Sequence, residues 1–181
     1  SAKEPILAVQ HLSTERYAGG ILAVANHVAN FSNNVSMLAM LGAQATQEDF
    51  AKEKTGDSIE KLFFYKSDSP TIVKRRFLES YLSQKLFEVY EINDDELDSV
   101  QSEELCRTLR EIVPEFDVVI VADYGHSMLT ADAIDVLCKN ARFLAVNTQS
   151  NAGNRGFNFI SKYPRADLVC LANHEITLEE R

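Results

Sequence analysis

The chain has 181 residues, 45% of them apolar, enough for a single domain that buries a core without disulfides. A net charge of −9 argues against a nucleic-acid surface, because no basic stripe offsets repulsion from phosphates, although a small anionic ligand needs only a local cluster of cations. Apolar runs such as Val118–Ala122 are far too short to cross a bilayer and no charged-then-apolar signal opens the sequence, so no membrane partner and a cytoplasmic location are expected.

In chain order, Pro5–His11 (PILAVQH) alternates enough to predict a short strand. Gly19 and Gly20 then open a helix of small residues running to about Asn33, and Asn33-Asn34 makes a turn. Val35–Leu41 reads as a strand buried on both faces. Thr46 is placed to cap a helix to about Lys54, with Glu48 and Asp49 in its favoured acidic first turn. Leu62–Tyr65, Thr71–Leu78 and Lys85–Glu91 are three extended runs, expected to form an antiparallel patch apart from the main sheet. Asp94 or Asp95 is expected to cap a helix carrying Leu97, Val100, Leu105, Leu109 and Ile112 at helical spacing, which Pro114 ends. Phe116–Ala122 is the clearest buried parallel strand, Thr130 caps the next helix, and Phe143–Val146 and Leu168–Leu171 are further strands. Strands alternating with helices predict an α/β fold, a mostly parallel sheet with helices on both faces. The three cysteines, Cys106, Cys138 and Cys170, form no CxxC pair and are expected as free buried thiols, with no metal site.

Chemistry is expected beyond the carboxyl ends of the parallel strands, where open α/β sheets bind ligands. Three such ends are polar: Asp123, Tyr124, Gly125 and His126 after the first, Asn147, Thr148, Gln149, Asn151, Asn154 and Arg155 after the second, and Asn173, His174 and Glu175 after the third. A loop rich in Asn, Gln and Thr supplies the mixed donors and acceptors that a polyhydroxylated ligand requires, though the same residues also make turns. Asp123 suits an acceptor, a base or a cap. His126 suits a proton shuttle, a phosphate contact or a solvent-facing loop. The glycine pair removes the Cβ atoms that would keep backbone from a ligand, and a tight turn would use it equally. Of Asn26 and His27 on the following helix, one is expected to face the ligand. Lys74 and Arg76 share one face of their extended segment, where they could hold a phosphate or carboxylate or simply block edge pairing. No GxxxxGK[ST], GxGxxG, GxSxG or HExxH motif occurs.

Taken in order, the segments EPILAVQHLSTERYAGG, LAMLG, TIVKRRF, VVIVADYGHSML, LAVNTQ and DLVCLANHE resemble the ribokinase-like (PfkB) carbohydrate kinases. The likeness is to the heptose-phosphate kinase branch and to kinase-like domains joined to a sugar nucleotidyltransferase; TERYAGGILAVANH with NTQSNAGNRGFN is the most specific part. The resemblance implies a three-layer α/β/α core, about residues 18–55 and 94–181, with a small β lid from about 5–11 and 62–91. It implies sugar or sugar-phosphate contacts from Gly19, Gly20, Asn26, His27, Lys74 and Arg76, with Asp123 near the phosphate acceptor and Asn147 close by. Asn173 and Glu175 would face ATP and Mg²⁺. It further implies a homodimer through the lid and a covalently linked nucleotidyltransferase. Three positions depart from the family pattern: Ala23 stands where a sugar-binding Asn is usual, His126-Ser127 where the heptose branch has Lys-Gly, and Ile176 where an acidic residue is usual. The family's first strand is expected before residue 1 and its catalytic Gly-Ala-Gly-Asp segment beyond residue 181, so no catalytic base is expected within the chain. Two functions follow as expectations: the sugar-binding part of a PfkB-type kinase, inactive by itself, or a non-catalytic sugar-binding or oligomerisation module beside a nucleotidyltransferase.

Overall fold

The structure is a computed structural model that describes residues 6–150 and 158–179. Its helices are α1 (Ile21–Val28), α2 (Glu48–Lys54), α3 (Ser99–Ile112), α4 (Ala131–Asn140) and α5 (Asn173–Glu179). Its strands are β1 (Val35–Gln44), β2 (Ile59–Pro70), β3 (Val73–Leu78), β4 (Lys85–Glu91), β5 (Val119–Asp123), β6 (Leu144–Thr148) and β7 (Leu168–Val169). Strands β1 and β2 pair in parallel, as do β5, β6 and β7 in that order, and β3–β4 is an antiparallel hairpin. The class is α/β, with parallel sheets and one small antiparallel sheet, as the sequence pattern implies.

Period-two alternation explains the layering. Val35, Met37 and Ala39 of β1, with Ile59 and Phe63 of β2, face Ile21, Leu22, Ala25 and Ala29 on and just beyond α1. The small side chains of α1 let its backbone lie close to the strands. On the other face, Leu38, Met40 and Phe64 enter the main core. There they share an apolar cluster with Leu105 and Leu109 of α3, Ile134 and Leu137 of α4, Val121 of β5, and Leu144 and Val146 of β6. The two parallel sheets are thus joined by this core rather than by a continuous hydrogen-bond ladder. Helices flank β1–β2 on both faces, but among the described residues they cover only one face of β5–β6–β7. Ile120 and Leu168 are 44% and 54% exposed on the open side.

Several expectations change. Residues 6–11 of the PILAVQH segment form no strand and are exposed; Pro5 lies outside the described residues, as does the 151–157 stretch of the polar loop. Leu62–Tyr65 belongs to β2 and lies parallel to β1, so the antiparallel patch shrinks to β3–β4. Its apolar residues need cover on both faces, which a two-stranded lid does not supply. Helix α1 ends at Val28, short of Asn33. Gln47, with φ 53°, stands at the cap position of α2 in place of Thr46. Asp98, accepting from the Gln101 N–H at 2.8 Å, caps α3 in place of Asp94 or Asp95, whose loop is held elsewhere. Thr130 caps α4 as expected, accepting from Ala133 N. Cys106 and Cys138 are buried free thiols, but Cys170 is exposed beside the short edge strand β7.

The link from β2 to β3 is pinned to β1. Gly42 N donates to Thr71 Oγ1 at 2.9 Å, and that hydroxyl donates to Thr46 O. A Cβ at Gly42 would collide with backbone atoms of Ser69, Pro70 and Thr71, none of which yields by a rotamer change. Gly42→Ala is therefore expected to destabilise the protein by about 2 kcal/mol or more. A lowered urea midpoint at unchanged slope would confirm it.

Candidate functional site

The residues that cluster sit at the carboxyl end of β5, under the base of the β3–β4 hairpin. Gly20 stands at the N-cap of α1 with φ 56°, a conformation a side chain resists, and no side chain caps the helix. The space where its Cβ would lie is next to the Tyr124 ring, 3.5 Å away. Gly19 has open space around it. A Cβ on Gly20 would make only an ordinary contact, so backbone conformation rather than lack of space favours glycine at that position.

From above, Lys74 of β3 reaches down to His126, with Nζ 3.2 Å from Nε2. The other ring nitrogen, Nδ1, lies 3.0 Å from Asp94 Oδ1. Burial holds Lys74 below the usual ammonium range, and Tyr90 places its ring 5.2 Å from that ammonium. Burial first, and Lys74 second, depress His126 below its ordinary value. Arg76, on the same face of β3 but farther out, is exposed and gives its Nε to Glu88 across the hairpin at 2.8 Å.

Below this layer, Asp123 is 4% exposed and its carboxylate is already engaged. Oδ2 accepts from the Tyr163 hydroxyl and faces Lys162 Nζ, each at 2.6 Å, while Oδ1 accepts from Gly125 N at 2.9 Å. Burial, then the neighbouring Asp123 charge, pushes the Tyr163 hydroxyl far up, so it stays a proton donor. Asn158 donates to the carbonyls of Asp123 and Gln149 at 2.9 and 3.2 Å, and Lys162 donates to Asn158 Oδ1 at 2.6 Å. This network ties the residue 158–163 segment to the ends of β5 and β6.

The remaining expected residues lie elsewhere or are occupied. Asn26 bridges α1 to the end of α2, donating to Lys54 O and accepting from Gly56 N. His27 is exposed, its ring edge-on to Phe31 at 5.3 Å. Asn147 donates to Cys170 O at 2.6 Å and so ties β6 to the end of β7. Glu175 is 7% exposed and accepts from Ala172 N and Ser150 N at 2.8 and 3.0 Å. Its carboxylate thus fastens the start of α5 and has little capacity left for a metal. Asn173 is the open member of that pair. Among the described residues no group of three or more His, Cys, Asp or Glu is arranged to hold a metal ion, and no helix is long and apolar enough to cross a membrane.

Lys66, Asp94, Lys162 and Tyr163 join the site without having been singled out for it. Lys66 had a readable clue, a lysine inside the apolar run LFFYK of a strand. Lys162 and Tyr163 follow an irregular loop, where no periodicity points to a strand end far away in sequence.

No family model matches the chain. Sequence relatives do. Over 129 residues, 71% of this chain, it is 26% identical to "Bifunctional protein HldE" of Histophilus somni (strain 129Pt). It is 27% identical to the protein of that name from Aeromonas salmonicida (strain A449) over 128 residues, again 71% of the chain. The protein of that name from Rhodopseudomonas palustris (strain TIE-1) is 28% identical over 158 residues, 82% of the chain. The chain resembles the heptose-kinase branch of the ribokinase-like family. It spans between 26% and 31% of the length of these relatives.

Two outcomes follow from the geometry. A histidine whose folded pKa is depressed resists protonation in the native state. Its stabilising contribution is whole above the ordinary value of 6.5 and is lost as pH falls through the lower folded one. Lys74, Asp94 and Asp123 are the charged groups that act on it. Urea midpoints are thus expected to fall between pH 7.5 and 5, with a smaller fall in His126→Gln. Tyr163→Phe removes one donor from a buried carboxylate and is expected to cost about 1 kcal/mol. Lys162→Met takes away the countercharge and costs more on the same urea assay.

Proposed function

We propose that this chain binds a sugar phosphate between the Gly19-Gly20 start of α1, the Tyr124–His126 loop and the β3–β4 hairpin, as part of a PfkB-type carbohydrate kinase region. The observation that carries the reading is the meeting of Lys74 and His126, 3.2 Å apart, above the end of β5. It brings a cation from the hairpin and a polar loop to the place where open parallel sheets take ligands. The glycines let a ligand approach α1 backbone, Lys74 supplies the charge for a phosphate, and the hairpin serves as the lid, with the helical and parallel-strand segments as the core. The likeness to bifunctional HldE proteins supports a heptose or related sugar phosphate and a linked nucleotidyltransferase in nucleotide-sugar synthesis.

In a kinase that contains this region, ATP with Mg²⁺ would supply the phosphoryl group transferred to a sugar hydroxyl. Of the two residues expected to face it, Asn173 is open to such a ligand, while Glu175 does not fit a metal-holding role because its oxygens serve backbone N–H groups. The exposed apolar end of the hairpin, including Phe77, Leu78, Tyr81 and Leu82, supports a homodimer through that element. A second reading, a sugar-binding module without turnover, draws on one specific observation: the Asp123 carboxylate is occupied by Lys162, Tyr163 and Gly125.

Calorimetric titration with a panel of heptose and hexose phosphates tests the binding site. Binding is expected to weaken about tenfold or more in Lys74→Ala, equivalent to about 1.4 kcal/mol, and to change little in Arg76→Ala. A Lys74→Ala protein that binds as tightly as the wild type would overturn the reading. The two readings separate in a full-length kinase containing this region and supplied with ATP-Mg²⁺: ADP release that depends on the sugar phosphate supports the kinase, and sugar-phosphate binding without turnover supports the module.

A further inference from the structure

His126 is held between two neighbours that each dictate the same protonation. The Asp94 carboxylate only accepts, so the Nδ1 that lies 3.0 Å from its Oδ1 must carry the proton. The Lys74 ammonium only donates, so the Nε2 lying 3.2 Å from its Nζ must present a lone pair. A doubly protonated ring would set an N–H against an ammonium.

Asp94 sits on an irregular loop between β4 and α3, and that loop is clamped from two sides. Lys66 of β2 is 3% exposed and donates to the carbonyls of Asn93, at 2.8 Å, and Asp95, the two neighbours of Asp94. Ser127, next to His126 and itself at φ 60°, donates its hydroxyl to the carbonyl of Asp94. Burying a lysine against neutral carbonyls is costly, and a leucine or methionine would fill such a place at lower cost. Burial accordingly holds the Lys66 ammonium below its usual range.

We infer that Lys66 and Asp94 are positioning residues that fix His126 in its Nδ1–H tautomer, so that the Nε2 lone pair accepts from Lys74 and holds that ammonium over the end of β5. The inference rests on the site proposed above and refines it: Lys74, steadied by His126, turns its remaining N–H donors to the ligand's anionic group.

Nitrogen-15 NMR of the imidazole rings in the ligand-free protein tests the tautomer, the His126 signals being assigned by their loss in His126→Gln. At pH 7.5 a protonated Nδ1 and an unprotonated Nε2 are expected. Asp94→Ala is expected to shift the ring toward the Nε2–H form that free histidine prefers, and Asp94→Asn, which keeps an acceptor oxygen, to restore the original pattern. Lys66→Met is expected to behave as Asp94→Ala; if it does not fold, Ser127→Ala removes the other clamp and is read the same way. An Nε2–H ring in the wild type, or a ring unmoved by Asp94→Ala, overturns the inference whatever binds. In titrations, Asp94→Ala is expected to lose affinity for a sugar phosphate several-fold, less than Lys74→Ala; an unchanged affinity overturns the role of His126 in holding Lys74. If no sugar phosphate binds although the Nδ1–H tautomer is present, the proposed site fails and the tautomer stands.

Discussion

A buried carboxylate must have its charge and lone pairs answered from within the protein, and at Asp123 this requirement organises the whole carboxyl end of the larger parallel sheet. The residue ends β5, so its position is fixed by the ladder to β6, where it stands opposite Thr148. Satisfying it draws in Lys162 and Tyr163 from a segment that follows an irregular loop, and the Gly125 N–H from its own turn. The turn that results points Tyr124 at Gly20 and His126 at Lys74. The Tyr124–His126 turn therefore rests on the ion pair of Asp123 with Lys162.

The second support is the shared core. Because Leu38, Met40 and Phe64 pack into the same cluster as Val121, Leu144 and Val146, the β1–β2 pair and the β5–β6–β7 sheet keep one relative placement without hydrogen bonds between them. The site depends on that placement, since Gly20 precedes α1, which rides on β1–β2, whereas Tyr124 follows β5. Loss of core packing would separate the two walls before it altered any residue in them.

Most of the fold was legible because parallel strands and amphipathic helices write their periods directly into the chain: the Thr130 cap and the Leu105–Leu109 spacing lie where the pattern puts them, and FDVVIVA holds a parallel strand, although β5 starts only at Val119 and leaves Ile120 exposed. The errors fall where local pattern and tertiary context compete. LFFY is a short apolar run that reads as a strand but names no partner, and only its packing between α1 and the main core makes it a parallel partner of β1. Asp94 and Asp95 look like caps, but Lys66 holds their loop away from the helix and Asp98 takes the role. Of the candidate site, Gly20, Lys74 and the Tyr124–His126 turn were readable because glycine pairs, strand-borne cations and polar strand ends are local features. Asp94, Lys66, Lys162 and Tyr163 were not, because their relevance arises from contacts 27 to 52 residues long in sequence or from burial, neither of which any local period encodes.

The hairpin shows how far such local logic reaches. Alternation puts Lys74 and Arg76 on one face of β3, which makes them equivalent in the sequence. They are not equivalent in space, because the hairpin is a cantilever fixed at its base, where Gly42 and Thr46 hold Thr71. Each two-residue step along a strand moves about 7 Å away from that anchor. Lys74, three residues beyond Thr71, still overhangs His126; Arg76 has passed the site and turns to Glu88 across the ladder. Farther out, the stacked Phe77–Phe87 pair, 4.4 Å between ring centroids, stiffens the two strands against each other rather than against the domain. A lever of this kind can lift at its tip while its base residue keeps contact. In the site proposed above, the charge of a ligand would therefore be read by Lys74, the cation of β3 nearest the hinge.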